Sequence, residues 1–105
     1  MSRIVPISNV DVSIIVVSYN TRALTEAALT SVLCETNTLR YEVICVDNAS
    51  SDGSAEMIAH HPVKADLIRL DENIGFARAN TLAARRAKGR YILLLNPDTV
   101  VLDGA

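Results

Sequence analysis

Four short apolar runs, each followed by a small polar group, constrain the fold of this chain more than any other feature. The runs are Val12–Val17, Tyr41–Val46, Asp66–Leu70 and Arg90–Leu95. The first is rich in β-branched residues and nearly continuous in hydrophobicity, which is typical of a strand buried on both faces of a sheet. We therefore predict a strand at each run, with the third weaker than the others.

Segments with helical spacing or helix-start signals lie between the strands. We predict helices over about residues 21–34, 54–60 and 76–88, with Asn20 or Thr21 as the N-cap of the first. The order β-α-β-α-β-α-β predicts an α/β fold: a mainly parallel sheet with right-handed crossovers and helices on both faces. Because the chain finishes soon after the fourth run, we expect this fold to be truncated after the fourth strand.

The third helical segment has the clearest pattern. Its residues Phe76, Asn80, Ala83 and Ala87 fall on one stripe. Gly89 follows the segment at a position typical of a C′ residue that ends a helix.

Composition bounds the class of protein. The chain has 105 residues, half of them hydrophobic, and 10 basic against 12 acidic side chains, which is ordinary for one soluble domain. This charge balance and an aromatic content of 4% without Trp argue against nucleic acid as the partner. No apolar run approaches the roughly 18 residues of a membrane span, so we expect an intracellular protein. Cys34 and Cys45 lie in apolar segments, and we expect both to be buried free thiols.

The polar groups that follow the strands are the candidate site. In a parallel sheet the carboxyl ends of all strands share one edge, so Ser18-Tyr19-Asn20, Asp47, Asp71–Gly75 and Asn96–Asp98 are expected to cluster. Their carboxylates, amides and hydroxyls, with Arg78 nearby, suit a ligand that carries a base or sugar and phosphates. A carboxylate beside a phosphate needs a divalent cation between them, and we choose Asp98 as the ligand of Mg²⁺ or Mn²⁺.

Simpler interpretations stay open for the separate groups. Asp47–Gly53 could be an Asx turn with a helix cap, and Asn96–Thr99 could be a type I turn. Arg78 differs from the basic residues at the end of its helix. A cation in the first turn is opposed by the helix dipole by about 0.3–1 kcal/mol, which favours an anionic partner for Arg78.

Four motifs together resemble the family 2 glycosyltransferases of GT-A fold, a Rossmann-like fold that binds nucleotide-diphospho-sugars. They are Val12–Asn20 (VSIIVVSYN), Val46–Ser54 (VDNASSDGS), Asn73–Asn80 (NIGFARAN) and Leu94–Thr99 (LLNPDT). The resemblance extends over about residues 10–103. It implies the donor-binding half of such a domain over residues 11–105. Residues 1–10 are predicted to be an irregular lead-in, because Pro6 and the polar Ser8-Asn9 give no period.

The resemblance also implies roles for single residues. Ser18, Tyr19, Asn20 and Asp47 match positions that hold the base and ribose of the donor, and Asp52 in the second motif matches either that site or a helix cap. Arg78 matches a basic residue near the nucleotide, while Asn73 and Gly75 match the loop that shapes the pocket. Asn96 and Asp98 match the two ends of an Asp-x-Asp motif, whose second carboxylate binds the metal.

Asn96 departs from the usual first Asp of that motif and brings no negative charge. The Asn-Pro-Asp-Thr variant resembles bacterial rhamnosyltransferase-like and galactofuranosyltransferase-like members, which implies a UDP- or dTDP-sugar donor.

The family inverts configuration with a carboxylate base that lies downstream of the metal motif. Asp103 follows Asp98 too closely for that role, so we assign no catalytic residue. A glycan or lipid-linked acceptor, cell-envelope polysaccharide synthesis and a location in the cytoplasm or at the cytoplasmic face of the membrane follow as expectations.

Two other classes of function remain. A non-catalytic nucleotide-sugar-binding module, or an inactive fragment, would use the same cluster without turnover. A dinucleotide-binding domain would explain Asp47 after the second strand, but it needs a glycine-rich turn after the first strand, and residues 18–23 contain no glycine. An unpaired strand edge would also favour association into a homo-oligomer.

Overall fold

Seven elements alternate along the chain in the predicted order. The computed structural model describes residues 10–36 and 39–97, and the predicted lead-in lies outside them except for Val10. The elements are β1 (Val12–Ser18), α1 (Arg22–Glu35), β2 (Tyr41–Asp47), α2 (Ser54–His60), β3 (Asp66–Arg69), α3 (Phe76–Arg86) and β4 (Tyr91–Leu94). The predicted succession of strands and helices is therefore confirmed.

The strands form one parallel sheet in the order β3-β2-β1-β4. β1 and β2 pair along their full length, from Val12 opposite Tyr41 to Ser18 opposite Asp47. This register brings the last residues of both strands to the same level at the carboxyl edge of the sheet. The polar residues that follow them consequently start side by side.

The helices cover the two faces of the sheet unequally. Ile14 and Val16 of β1 face α1 and α2, and they pack in a core with Leu29 and Ile58. The alternate residues of β1 and β2 pack on the other face, in a core with Ala79 and Ala83 of α3. Since successive side chains of a strand point to opposite faces, a strand that is apolar throughout needs both layers. The prediction of helices on both faces is confirmed.

The stripe of α3 that contains Phe76 and Ala83 is buried only in part. Ala83 is buried, as is Ala79, but Phe76 is 63% exposed. The helix approaches the sheet through small alanine side chains, and Phe76 lies in its first turn, beyond that contact. Phe76 is thus not a core residue.

Gly89 is not the C′ residue of α3. The helix ends at Arg86, and Ala87 at its C-cap is already extended. A Cβ at position 89 would lie 2.6 Å from the backbone N of Ser13. The chain needs glycine here because its backbone passes close to β1.

β4 is exposed, unlike the buried strands β1 and β2. All four side chains of β4 are 42–68% exposed, at one edge of the described sheet. Association through this edge stays a prediction.

The two cysteines differ in burial. Cys34 is exposed, on the outward side of α1, which corrects the expectation of burial, whereas Cys45 is buried as expected.

Among the described residues, no helix is long and apolar enough to cross a membrane.

Candidate functional site

A cleft of about 460 Å³ opens at the carboxyl edge of the sheet. It combines aromatic, amide and backbone groups from four successive loops, among them Tyr19, Asn48, Asn73, Gly75, Phe76 and Asn96. These loops follow β1, β2, β3 and β4, as expected for the strand ends of a parallel sheet. Each of the four loops therefore contributes to one cleft, through Tyr19, Asn48, Asn73 with Gly75, and Asn96 with Pro97, whereas Asp47 does not line it.

The three residues of the Ser18-Tyr19-Asn20 turn have different surroundings. Tyr19 is about half exposed and lines the cleft. Ser18 is fully buried, and its Oγ accepts a hydrogen bond from Thr25 Oγ1 at 3.2 Å. Of the three, the structure thus brings Tyr19 into the cleft and turns Ser18 into the interior.

Asn20 connects the turn after β1 to the loop after β2. It has a left-handed backbone with φ of 52°, which asparagine tolerates better than most residues. Its backbone N donates to Ser50 Oγ at 2.9 Å, and its Oδ1 accepts from Ser51 N at 2.8 Å. The side chain of Asn20 therefore holds two loops together beside the cleft.

Asp47 has an incompletely satisfied carboxylate. The residue is 1% exposed, and its Oδ2 accepts a hydrogen bond from Ser50 N at 3.1 Å. Its buried Oδ1 has no hydrogen-bond partner among the described residues. Leaving a buried acceptor unpaired costs about 1–3 kcal/mol. Asp47 does not itself line the cleft, but its neighbour Asn48 does.

Asp52 caps two helices. Its Oδ2 accepts from Arg22 N at the start of α1, and its Oδ1 accepts from the N–H and the hydroxyl of Ser54 at the start of α2. Thr21 occupies the predicted N-cap position of α1, but its side chain makes no capping bond. The hydrogen bond from the Ser54 hydroxyl, with those from the two backbone N–H groups, lowers the pKa of Asp52 below its ordinary value of 3.8. The geometry favours the cap over a ligand contact for Asp52.

Asn48 is a cleft residue that the sequence did not single out. It is 3% exposed; its Oδ1 accepts from Ile74 N at 2.8 Å, and its Nδ2 donates to Gly75 O at 3.2 Å. The loop after β3 is therefore fastened to the end of β2. In the sequence, Asn48 is one of several turn-forming residues, and nothing there indicates partners 26 and 27 residues away.

Asn73 and Gly75 shape the next wall of the cleft. Asn73 Oδ1 accepts from Gly75 N at 2.8 Å, which closes a tight turn before α3. Gly75 has φ of 88° and ψ of 165°, a conformation that is essentially restricted to glycine. A Cβ there would have open space, so the backbone conformation, and not crowding, requires glycine.

Arg78 lies outside the cleft. It is exposed and borders a separate groove of about 320 Å³ along α3, with Ile74, Leu82 and Arg85. The structure therefore does not bring Arg78 together with the other predicted nucleotide ligands. Its contact with a nucleotide stays a prediction.

The start of the Asn96-Pro97-Asp98 segment reaches the cleft. Asn96 and Pro97 both line it, whereas the predicted metal ligand Asp98 lies outside the described residues. Within residues 10–36 and 39–97, His, Cys, Asp and Glu side chains form no group of three that could hold a metal ion. Metal binding therefore stays a prediction that depends on Asp98.

Comparison with known proteins identifies the family. The sequence profile described as glycosyl transferase family 2 matches residues 13–105. The chain belongs to this family. The putative teichuronic acid biosynthesis glycosyltransferase TuaG of Bacillus subtilis is 36% identical to it over 90 residues, which cover 83% of this chain and 35% of that protein.

Solved structures of glycosyltransferases share the fold. The mannosyltransferase PcManGT from Pyrobaculum calidifontis, in complex with GDP-Man and Mn²⁺, has a TM-score of 0.79 and 30% identity, covering 92% of this chain and 30% of that one. TarS 1-349 of S. aureus, in complex with UDP-GlcNAc, has a TM-score of 0.73 and 26% identity, covering 84% of this chain and 26% of that one. The GT-A fold predicted for the chain is confirmed. The chain spans about a third of the length of these relatives or less.

Proposed function

We propose that this chain forms the donor-binding part of an inverting glycosyltransferase that uses a UDP- or dTDP-sugar. The observation that carries the proposal is the convergence of the four strand-end loops on one cleft of about 460 Å³, a size typical of small-molecule sites. Structural neighbours in complex with GDP-Man and with UDP-GlcNAc support it. Transfer to a glycan or lipid-linked acceptor in cell-envelope polysaccharide synthesis is part of the proposal, supported by the name of the TuaG relative.

The cleft offers separate groups for the parts of such a donor. Tyr19 presents an aromatic surface to the base. Asp47 does not line the cleft but precedes the cleft residue Asn48, and its Oδ1 accepts from a base N–H or a ribose hydroxyl that reaches it. Asn73 and Asn96 supply amides, which both donate and accept hydrogen bonds, for the ribose and phosphates. Because a buried acceptor without a partner is costly, a donor group that pairs with Asp47 Oδ1 recovers this free energy on binding.

Asp98 is the proposed ligand of Mn²⁺ or Mg²⁺. Carboxylate oxygens suit both ions, and Asp98 directly follows Pro97, which lines the cleft. A bound divalent ion supplies positive charge that offsets the charge of the diphosphate. Asn96 contributes no charge to this set. We assign no catalytic base among residues 10–36 and 39–97.

Calorimetry on the 105-residue chain tests the proposal directly. UDP and dTDP are titrated with and without Mn²⁺, and we expect binding that Mn²⁺ strengthens. Asp98→Asn should abolish the Mn²⁺-dependent gain, because the amide brings no negative charge. Asp103→Asn removes a second carboxylate from the same segment and should leave that gain intact.

The outcomes separate the parts of the proposal. Absence of any nucleotide binding by the unaltered chain would refute the donor-binding function. Binding that is equally Mn²⁺-dependent in Asp98→Asn would refute the metal role of Asp98 alone. Release of labelled sugar from a UDP- or dTDP-sugar, to an acceptor or to water, would distinguish an enzyme from a binding module.

A further inference from the structure

Phe76 has surroundings that its residue type does not favour. It is the only phenylalanine of the chain, it is 63% exposed, and it borders the cleft at the start of α3. The exposed side chains of β4 differ, because they belong to the edge strand of the described sheet. Phe76 instead belongs to a concave surface that also contains Tyr19 and three asparagines. Its exposure therefore coincides with the candidate site.

The backbone that carries Phe76 is held from several sides. Asn48 binds both Ile74 N and Gly75 O, and Asn73 Oδ1 binds Gly75 N. Gly75 O also accepts from Ala79 N at 3.2 Å, which begins the helix. These bonds fix the chain immediately before Phe76. An aromatic ring on a fixed backbone loses little conformational entropy when a ligand binds, since it has only two side-chain torsions.

We propose that Phe76 is a stacking surface for the nucleobase of the donor, on the same cleft as Tyr19; this rests on the donor-binding function proposed above. Of the base, ribose, diphosphate and sugar of the donor, the base is the one flat aromatic ring, with two faces that can stack. A diphosphate gains nothing from the face of an aromatic ring, which carries partial negative charge. Every base has such a face, so stacking adds affinity with little preference for one base. Phe76 therefore increases the affinity for UDP, dTDP and GDP alike, and selectivity between bases comes from other groups.

Substitution of Phe76 tests this role by calorimetry with UDP, GDP and inorganic pyrophosphate. Phe76→Ala should lower the affinity for UDP and the affinity for GDP by a similar factor, roughly five- to 150-fold, as expected for the loss of one base–aromatic stack. Pyrophosphate, which has no base, should bind both forms equally. Leu39→Ala is the control, because Leu39 is 48% exposed but does not border the cleft.

A second variant reports the contact itself. The chain has no tryptophan, so Phe76→Trp introduces a single indole whose fluorescence can be excited selectively. We expect this variant to retain nucleotide affinity, and its fluorescence to change when UDP or GDP is added but not when pyrophosphate is added. A merely structural role for Phe76 would not produce this base-dependent signal.

The possible failures are distinguishable. If the unaltered chain binds UDP, but Phe76→Ala binds it equally well and Phe76→Trp gives no signal, the stacking role is refuted and the donor-binding function stands. If Phe76→Ala lowers the affinity for a UDP-sugar but not the affinity for UDP, the ring contacts the sugar, and the stacking role is also refuted. If the unaltered chain binds no nucleotide, both proposals fail.

Discussion

The two ends of β2 carry carboxylates in opposite circumstances. At the amino end, Glu42 Oε2 accepts hydrogen bonds from Ser13 Oγ and from Lys88 N, both at 2.6 Å. At the carboxyl end, Asp47 Oδ1 is buried and has no partner within the described part of the chain. β2 thus has a hydrogen-bonded carboxylate at its amino end. At its carboxyl end it has a carboxylate oxygen without a partner among the described residues.

This difference separates a structural edge from the proposed binding edge. The network at the amino end continues from Ser13 Oγ to Gly89 N, which donates to it at 2.8 Å, and so joins β1, β2 and the segment before β4. The carboxyl edge has hydrogen bonds of its own between loops, but these hold the walls of a cleft and leave polar groups facing it. The amino edge of the sheet is thus held by a continuous network, and the carboxyl edge carries the cleft that is proposed to bind the donor.

The largest expected effect is on stability at the amino end. Glu42→Ala leaves the Ser13 hydroxyl and Lys88 N–H without their acceptor, so we expect the free energy of unfolding to fall by about 2 kcal/mol. Glu26→Ala removes an exposed carboxylate from α1 and should change it by less than about 0.5 kcal/mol. Urea denaturation measures both. Equal stability of the two variants would contradict a structural role for Glu42.

Asp47→Ala should show the reverse pattern. We expect weaker nucleoside binding without metal, by roughly tenfold, because a hydrogen bond to a charged group contributes about 1.5–3 kcal/mol and part of this offsets desolvation. The free energy of unfolding should change by about 1 kcal/mol or less, since Asp47 loses one bond, from Ser50 N, and an unpaired oxygen disappears with it. Calorimetry with uridine and urea denaturation report the two quantities. A large loss of stability with unchanged binding would reduce Asp47 to a turn residue.

Cys45, between these two carboxylates on β2, should affect stability at alkaline pH but not at neutral pH. Burial, with smaller contributions from the charges of Asp47 and Asp66, raises the pKa of its thiol from 9.0 to about 12. Above pH 9 the unfolded chain loses this proton while the folded chain keeps it, so stability should fall as pH rises from 9 toward 12, by at most about 1.4 kcal/mol per pH unit. Urea denaturation of the protein and of Cys45→Ala across this range isolates the contribution.

Thiol labelling at neutral pH gives the matching control. The exposed Cys34 should react in the folded protein, and Cys45 only after unfolding. Cys34→Ser should therefore remain unlabelled until denaturant is added. Reaction of two thiols in the folded state would show that the centre of β2 is accessible and would weaken the contrast between its ends.

Much of the fold was predictable because its signals are local. Apolar runs with β-branched residues are suited to buried strands, and the alternation of strands with helices restricts the sheet to a parallel arrangement. The same reasoning located four strand-end groups, and Tyr19, Asn73, Gly75 and Asn96 do border one cleft. Two predictions were wrong: Cys34 was expected to be buried, and Gly89 was expected at the C′ position of α3. A helical stripe gives the spacing of side chains but not which neighbouring layer they meet.

The sequence by itself determined the family, the order of the elements and the edge of the sheet that carries the polar loops, because these depend on composition and spacing along the chain. Only the tertiary structure decided that Asn48 fastens a loop 26 residues away, that Arg78 borders a different groove, and that Asp47 Oδ1 has no partner among residues 10–36 and 39–97. Such contacts join residues distant in sequence. Their partners are fixed by the register of β1, β2 and β3 and by the way helices pack on that sheet, which no local pattern encodes.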